Sequence, residues 1–210
     1  MSPKKAALFT RLMGANEATK ANQAALKVGQ LAWDVARGYA THIAVSRMAP
    51  RIEPRAFVRL IGDYLTDFVL RKDGTKWSFG TQDALGGVAD RAIATELPRV
   101  WLTGSLLAVG DALNEHDYFG RAPLFELVRH LRNGIAHGNR FDIRDRDKLK
   151  KYPAHNRDAD YRGPNSSLFE ITDALDGQPL LFDFMGAGDV LDLLHSVGAH
   201  LQRIGRGKPV

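Results

Sequence analysis

The chain contains no cysteine. That excludes disulfides, thiolate metal sites and a cysteine nucleophile, and it fits a reducing compartment. Nor is there an apolar run approaching the roughly 18 residues of a membrane-spanning helix, so no membrane partner is expected. The start, Met1-Ser2-Pro3-Lys4-Lys5, is basic, but the apolar stretch after it is broken by Thr10 and Arg11. It is too short and too polar for a signal peptide, and a cytoplasmic protein is the expectation. Internal repeats, low-complexity segments, a phosphate-cradling glycine loop and a dinucleotide fingerprint are all missing. The seven histidines are scattered. His195 and His200 lack the i, i+4 spacing of a helical ligand pair, so neither a metal nor a cofactor is expected.

What is present is 210 residues, 44% of them hydrophobic, with a formal charge of +5. A chain of this length can bury a core without staples. The charge tolerates a polyanionic partner without demonstrating one. Residues 1–210 read as a single domain with loose ends at 1–14 and 205–210.

The expected class is all-α: a helical bundle with a small β-hairpin inserted before the C-terminal helix. Residues 15–47, rich in Ala, Lys, Gln and Leu, predict one long helix weakened at Gly29 and Gly38. Phe57, Leu60, Ile61, Tyr64, Leu65, Phe68 and Val69 recur at helical period and predict a second, ending at Arg71-Lys72-Asp73-Gly74. Residues 75–81 read as a loop. A short helix is expected over 82–96, another from Pro98 through Leu113, and another over 123–137. Residues 140–166 look irregular. Their cations, Arg140, Arg144, Arg146, Lys148, Lys150, Lys151, Arg157 and Arg162, alternate with five aspartates. They describe either a solvated loop of salt pairs or a basic flap beside an anionic substrate. Phe169 and Ile171, then Phe182 and Phe184, alternate with polar residues around Asp176-Gly177, which predicts the hairpin. Val190, Leu191, Leu194, Val197, Leu201 and Ile204 mark a final helix over 188–204.

The informative stretch is Leu131-Arg132-Asn133-Gly134-Ile135-Ala136-His137-Gly138-Asn139. On a helix turning about 100° per residue, Leu124, Leu127, Val128, Leu131 and Ile135 share a core face. Arg129, His130, Asn133 and His137 lie opposite, with Asn133 and His137 at i, i+4. Arg132 sits on the flank. Gly134, Ala136 and Gly138 leave room for another backbone or a ligand. The same residues also describe an ordinary helix end, with Gly138 as the terminating glycine and His137 favourably placed on the helix dipole.

The segment from Arg132 to His137 resembles the signature of the HEPN superfamily: an arginine, a polar residue (here Asn133), and a histidine after four to six intervening positions. The string from Leu131 to Phe141, followed by a hairpin and the Gly188–Leu194 helix, is similar to one bacterial branch. The resemblance covers roughly residues 50–204. It implies a metal-independent endoribonuclease, often a toxin or phage-defence component, working as a homodimer whose two motifs face each other. On that reading Arg132, Asn133 and His137 are catalytic. Arg132 suits the phosphate, two His137 side chains divide the acid and base roles, and Asn133 orients His137 or holds a phosphate oxygen. Arg129, His130, Asn139, Arg140, Lys148, Lys150 and Lys151 are the substrate-binding candidates. RNA is the expected partner, with an antitoxin or defence protein as a further one. The alternative is a non-catalytic HEPN module that binds nucleotide or RNA or mediates defence-complex assembly. A third reading is a plain helical interaction protein.

Overall fold

The computed structural model describes residues 3–48, 51, 66–80, 87, 90–161 and 167–208, and the side chains of the first helix from residue 19 onward. The described chain is mostly helical, with one small antiparallel hairpin. Five α-helices occur among the described residues: α1 (Pro3–Met48), α2 (Arg91–Glu115), α3 (Pro123–Ala136), α4 (Arg146–Lys151) and α5 (Ala187–Gly205). No described helix is long and apolar enough to cross a membrane. The chain divides into two compact units, one of residues 1–36 with 102–210, the other of residues 37–101.

The larger unit is built on small residues. Ala25, Val28, Ala32 and Ala36 of α1 are all buried and fall at i, i+3, i+7 and i+11, one helical stripe. Because the stripe is shallow, α5 comes very near. A Cβ on Gly198 would lie 3.0 Å from the Gly29 carbonyl oxygen, and one on Gly29 would lie 3.1 Å from the Gly198 carbonyl oxygen. Trp33 covers the crossing, its Nε1–H donating to the His195 carbonyl at 3.2 Å. Gly29 is thus a contact point in a continuous helix and not a weak spot. Leu102, Leu106, Val109 and Leu113 of α2, Leu127, Val128 and Leu131 of α3, and Leu194, Val197 and Leu201 of α5 supply the apolar bulk.

Local signals account for the helix ends. Ala122 is extended and Pro123 occupies the first turn of α3, where a missing N–H costs nothing. The Asp145 carboxylate accepts from the Lys148 N–H and starts α4. The Asp189 carboxylate reaches back to the Gly186 N–H at the start of α5.

Several expectations change. Helix α1 begins at Pro3, not near residue 15. In the smaller unit, Asp90 caps Ala92 and Ile93, and α2 then runs on through Pro98, which is inside the helix and not its start. The expected helix ending at Arg71 falls largely on residues 52–65, outside the described residues. Its last part is strand β1 (Thr66–Leu70), paired with β2 (Lys76–Gly80) where a loop was expected. The Asp73-Gly74 turn explains this: Gly74 takes φ +82°, and the Asp73 carboxylate accepts from both the backbone N–H and the hydroxyl of Thr75. Phe68, Val69, Leu70 and Trp77 on this ribbon are exposed.

The hairpin expected before α5 does not form. Phe169–Ile171 runs beside residues 154–156, with Glu170 bridging His155, while Pro179 bridges Arg140. A 3-10 turn occupies Asp173–Leu175, and Asp176 accepts from the Ile143 N–H. The alternating aromatics do meet, but as a core: the Phe184 ring lies edge-on to Phe141 and Phe169. This packing, together with the bridges to residues 140 and 155, holds the segment.

The glycine crossing yields a direct test. Gly198→Ala would set a Cβ 2.3 Å from Trp33 Cδ1. We expect a loss of about 1–3 kcal/mol from overpacking, read as a lowered urea midpoint at unchanged slope. A wild-type midpoint would show that the helices do not cross there.

Candidate functional site

The polar residues Glu126, His130, Asn133 and His137 recur at i, i+4, i+7 and i+11 along α3, opposite its apolar stripe. Their environments diverge along the helix. Glu126 is 3% exposed and His130 is 8% exposed, whereas His137 shows 55% of its side chain. The first half of the stripe is covered by the chain's own turns, and the second half emerges into solvent.

The buried half is a polar network. Glu126 Oε1 accepts from the Gly120 N–H at 2.7 Å, and Oε2 accepts from Arg129 Nε at 2.6 Å. Arg129 Nη2 lies 2.5 Å from the same carboxylate oxygen and 3.2 Å from His130 Nε2. A neutral His130 accepts that N–H, which sets its tautomer. Burial, the Arg129 guanidinium and the charge of Lys148 together push His130 down to about 4. His130 is therefore no part of an open polar face, contrary to the helical-wheel reading; it is wrapped inside the fold.

The exposed half ends the helix. The His137 N–H reaches the Asn133 and Gly134 carbonyls, and then Gly138 and Asn139 both adopt left-handed backbone, at φ +81° and +61°. This reverses the chain, so that the Arg140 N–H returns to the Gly134 carbonyl. A Cβ on Gly134 would meet the Arg140 carbonyl oxygen at 2.7 Å and Leu180 Cδ1 at 2.3 Å. The backbone that approaches Gly134 is thus the protein's own, which removes this position from any intermolecular contact.

After the reversal, Asp142 faces the imidazole, with Oδ2 3.7 Å from His137 Nε2. That separation is an ion pair when the ring is protonated, too long for a hydrogen bond. Arg144 Nε holds the other carboxylate oxygen at 2.8 Å. In the sequence Asp142 is one of several loop charges. Its proximity to His137 depends on two consecutive left-handed residues, of which the glycine alone was a visible signal.

Arg132 lies on the flank of α3, against α2. Its stem covers Gly110, where a Cβ would come within 2.8 Å of Arg132 Cγ. Asp111 Oδ1 accepts from Nε at 2.9 Å and from Nη2 at 2.7 Å, and Asn133 Oδ1 accepts from Nη1 at 3.3 Å. Arg132 and Asn133 therefore meet. Asn133 serves the guanidinium; among the described residues, His137 has Asp142 as its side-chain partner instead.

The other binding candidates separate. Asn139 clamps Leu181, its oxygen accepting from the Leu181 N–H and its amide donating to the Leu181 carbonyl. Arg140 Nη1 donates to the Gly177 carbonyl. Lys150 lies 3.6 Å from Asp147, and the Lys151 ammonium sits over the Tyr152 ring. Lys148 is exposed. Comparison with known protein families, with curated proteins and with solved structures finds no match for this chain.

The buried histidine gives a pH dependence. Unfolded, His130 takes up a proton near its ordinary value of about 6.5; folded, it resists protonation down to about 4. Between these values the unfolded state binds more protons, so stability falls as pH falls through the window. His200, also lowered by burial, acts in the same sense. We expect a loss of up to about 3 kcal/mol from His130 between pH 6.5 and 4. His130→Gln should flatten the curve of urea-unfolding free energy against pH. An equally steep curve would show that His130 is not the group responsible.

Proposed function

We propose that the C-terminal end of α3 is the active site of a metal-independent endoribonuclease of the HEPN type, formed across a homodimer and acting in a toxin–antitoxin or phage-defence setting. The observation that carries this reading is His137: an exposed imidazole at a helix end, faced by a carboxylate, at the end of the helix that also carries Arg132, an arginine held in place by side chains. The likeness of the Arg132–His137 segment to the HEPN signature supplies the rest.

The chemistry proceeds in line at phosphorus. One His137 removes the proton from the ribose 2′-OH, whose oxygen bonds to the adjacent phosphorus. The P–O5′ bond breaks, and the partner's His137, protonated, donates to the leaving O5′. The products are a 2′,3′-cyclic phosphate and a 5′-OH. Arg132 stabilises the extra negative charge on the phosphoryl oxygens, Asn133 steadies its guanidinium, and Asp142 orients the imidazole.

A second reading, a HEPN module that binds nucleotide or RNA or assembles a defence complex without cleaving, is favoured by one feature. Two of the three Arg132 nitrogens already serve Asp111 of the same chain. A phosphate would compete with that carboxylate for the same donors.

Cleavage of single-stranded RNA in excess EDTA discriminates the two. We expect wild-type cutting, a 10²–10⁴-fold loss on the order of a missing proton-transfer group for His137→Ala, and a smaller loss for Asp142→Asn. Full-rate cutting by His137→Ala, or wild-type activity abolished by chelator, would end the nuclease reading. Light scattering at micromolar concentrations should give a dimer mass; a persistent monomer would rule out the composite site.

A further inference from the structure

Beside the buried half of the α3 stripe lies a cleft of about 430 Å³, walled by Asn114 and the turn that follows α2, by α3, and by the Lys148–Tyr152 stretch of chain. Three cations line it, Arg121, Arg129 and Lys148, along with two carboxylates, Asp117 and Glu126. Glu126 has both oxygens occupied, one by the Gly120 N–H and one by Arg129. Arg129 spends Nε and Nη2 on Glu126 and His130, and among the described residues its Nη1 has no protein acceptor. A buried ion pair is poor at adding net stability but good at holding a guanidinium in one orientation. Lys148 stands apart from its neighbours on α4. Lys150 pairs with Asp147 and Lys151 lies over Tyr152, while the Lys148 ammonium has no side-chain partner among the described residues. Its charge nonetheless reaches His130, one residue from Arg129.

We propose that this cleft is a phosphate-binding site for an RNA strand, with Arg129 and Lys148 as the donors and Glu126 as the residue that positions Arg129. An arginine pre-set on a buried carboxylate presents its remaining amino group, Nη1, to an anionic oxygen in a fixed direction, and a lysine adds a point charge. Arg129 precedes His137 by eight residues on one helix, a rise of about 12 Å. One strand can therefore occupy the cleft and the helix end together. The proposal rests on the ribonuclease reading for the identity of the strand; the cleft itself does not depend on catalysis.

The test uses full-length protein carrying His137→Ala, so that substrate survives, and a fluorescent single-stranded RNA whose anisotropy is followed across a salt series. Lys148→Glu should weaken binding roughly five- to tenfold near 0.1 M salt and lower the slope of log K against log salt by about 1. Lys27→Glu, an equal charge change at an exposed α1 position that does not line the cleft, should do much less. Equal effects from the two variants, or none from either, would overturn the site, as would no RNA binding at all. Displacement by inorganic phosphate at the RNA's own half-saturating concentration would make it a small-anion site and remove the strand. RNA bound through Lys148 yet left uncut by the wild-type protein would retire the nuclease and leave the cleft. Full-rate cutting by Lys148→Glu in an otherwise wild-type chain would do the reverse.

Discussion

The contact between the Gly134 backbone and the returning Arg140 carbonyl is the constraint on which the site depends. At that point there is no space for a side chain, and Leu180 closes the other side. The chain can turn back so tightly because Gly138 and Asn139 both accept left-handed backbone, glycine at no steric cost and asparagine at a small one. Everything downstream inherits this placement. Asn139 clamps Leu181, Phe141 N–H meets the Gln178 carbonyl, and Asp142 comes to face His137. The helix end is thus tied through residues 139–143 to residues 176–181 by backbone and side-chain hydrogen bonds.

The electrostatics of α3 follow from the same burial. Charges placed at i, i+4 spacing along a solvated helix would be nearly equivalent. Here the turn after α2 lies over the first half of the polar stripe and leaves the second half open. Glu126 is stripped of water and must be satisfied by protein donors, which draws in Gly120 and Arg129. His130, in the same surroundings, is held neutral. His137, seven residues on, keeps its solvent and gains only a distant carboxylate. The stretch from His130 to His137 therefore carries two histidines in opposite surroundings, one dry and one open to solvent.

Arg132 shows a comparable division of labour between backbone and side chain. Gly110 provides a flat place for its stem, and Asp111, the next residue, catches its head. Asp111 and Asn133 between them engage all three guanidinium nitrogens, which fixes the plane of the group.

Helix α3 was legible in the sequence because its apolar period is strong, Pro123 marks its start and Gly138 its end. Helix α5 was legible for the same reason of period. The spacing of residues 132 and 137 near a helix terminus was also visible there, since both positions are local. What local pattern could not decide was which Asp-Gly turn would make a hairpin. Both Asp73-Gly74 and Asp176-Gly177 are sound turn signals. At the first, the flanking residues pair with each other; at the second, Phe141 and the 154–156 segment take the partners that a hairpin would have used. Nor could it show that His130 is buried, because a helical wheel knows only the helix's own face and not what the rest of the chain lays over it. The sequence alone determined helix periods, turn residues and the local Arg132–His137 spacing, all set by interactions within a few residues. Tertiary structure decided burial, the Asp142 and Asp111 partnerships and the cation-lined cleft, because those depend on distant segments competing for the same backbone groups and the same dry space.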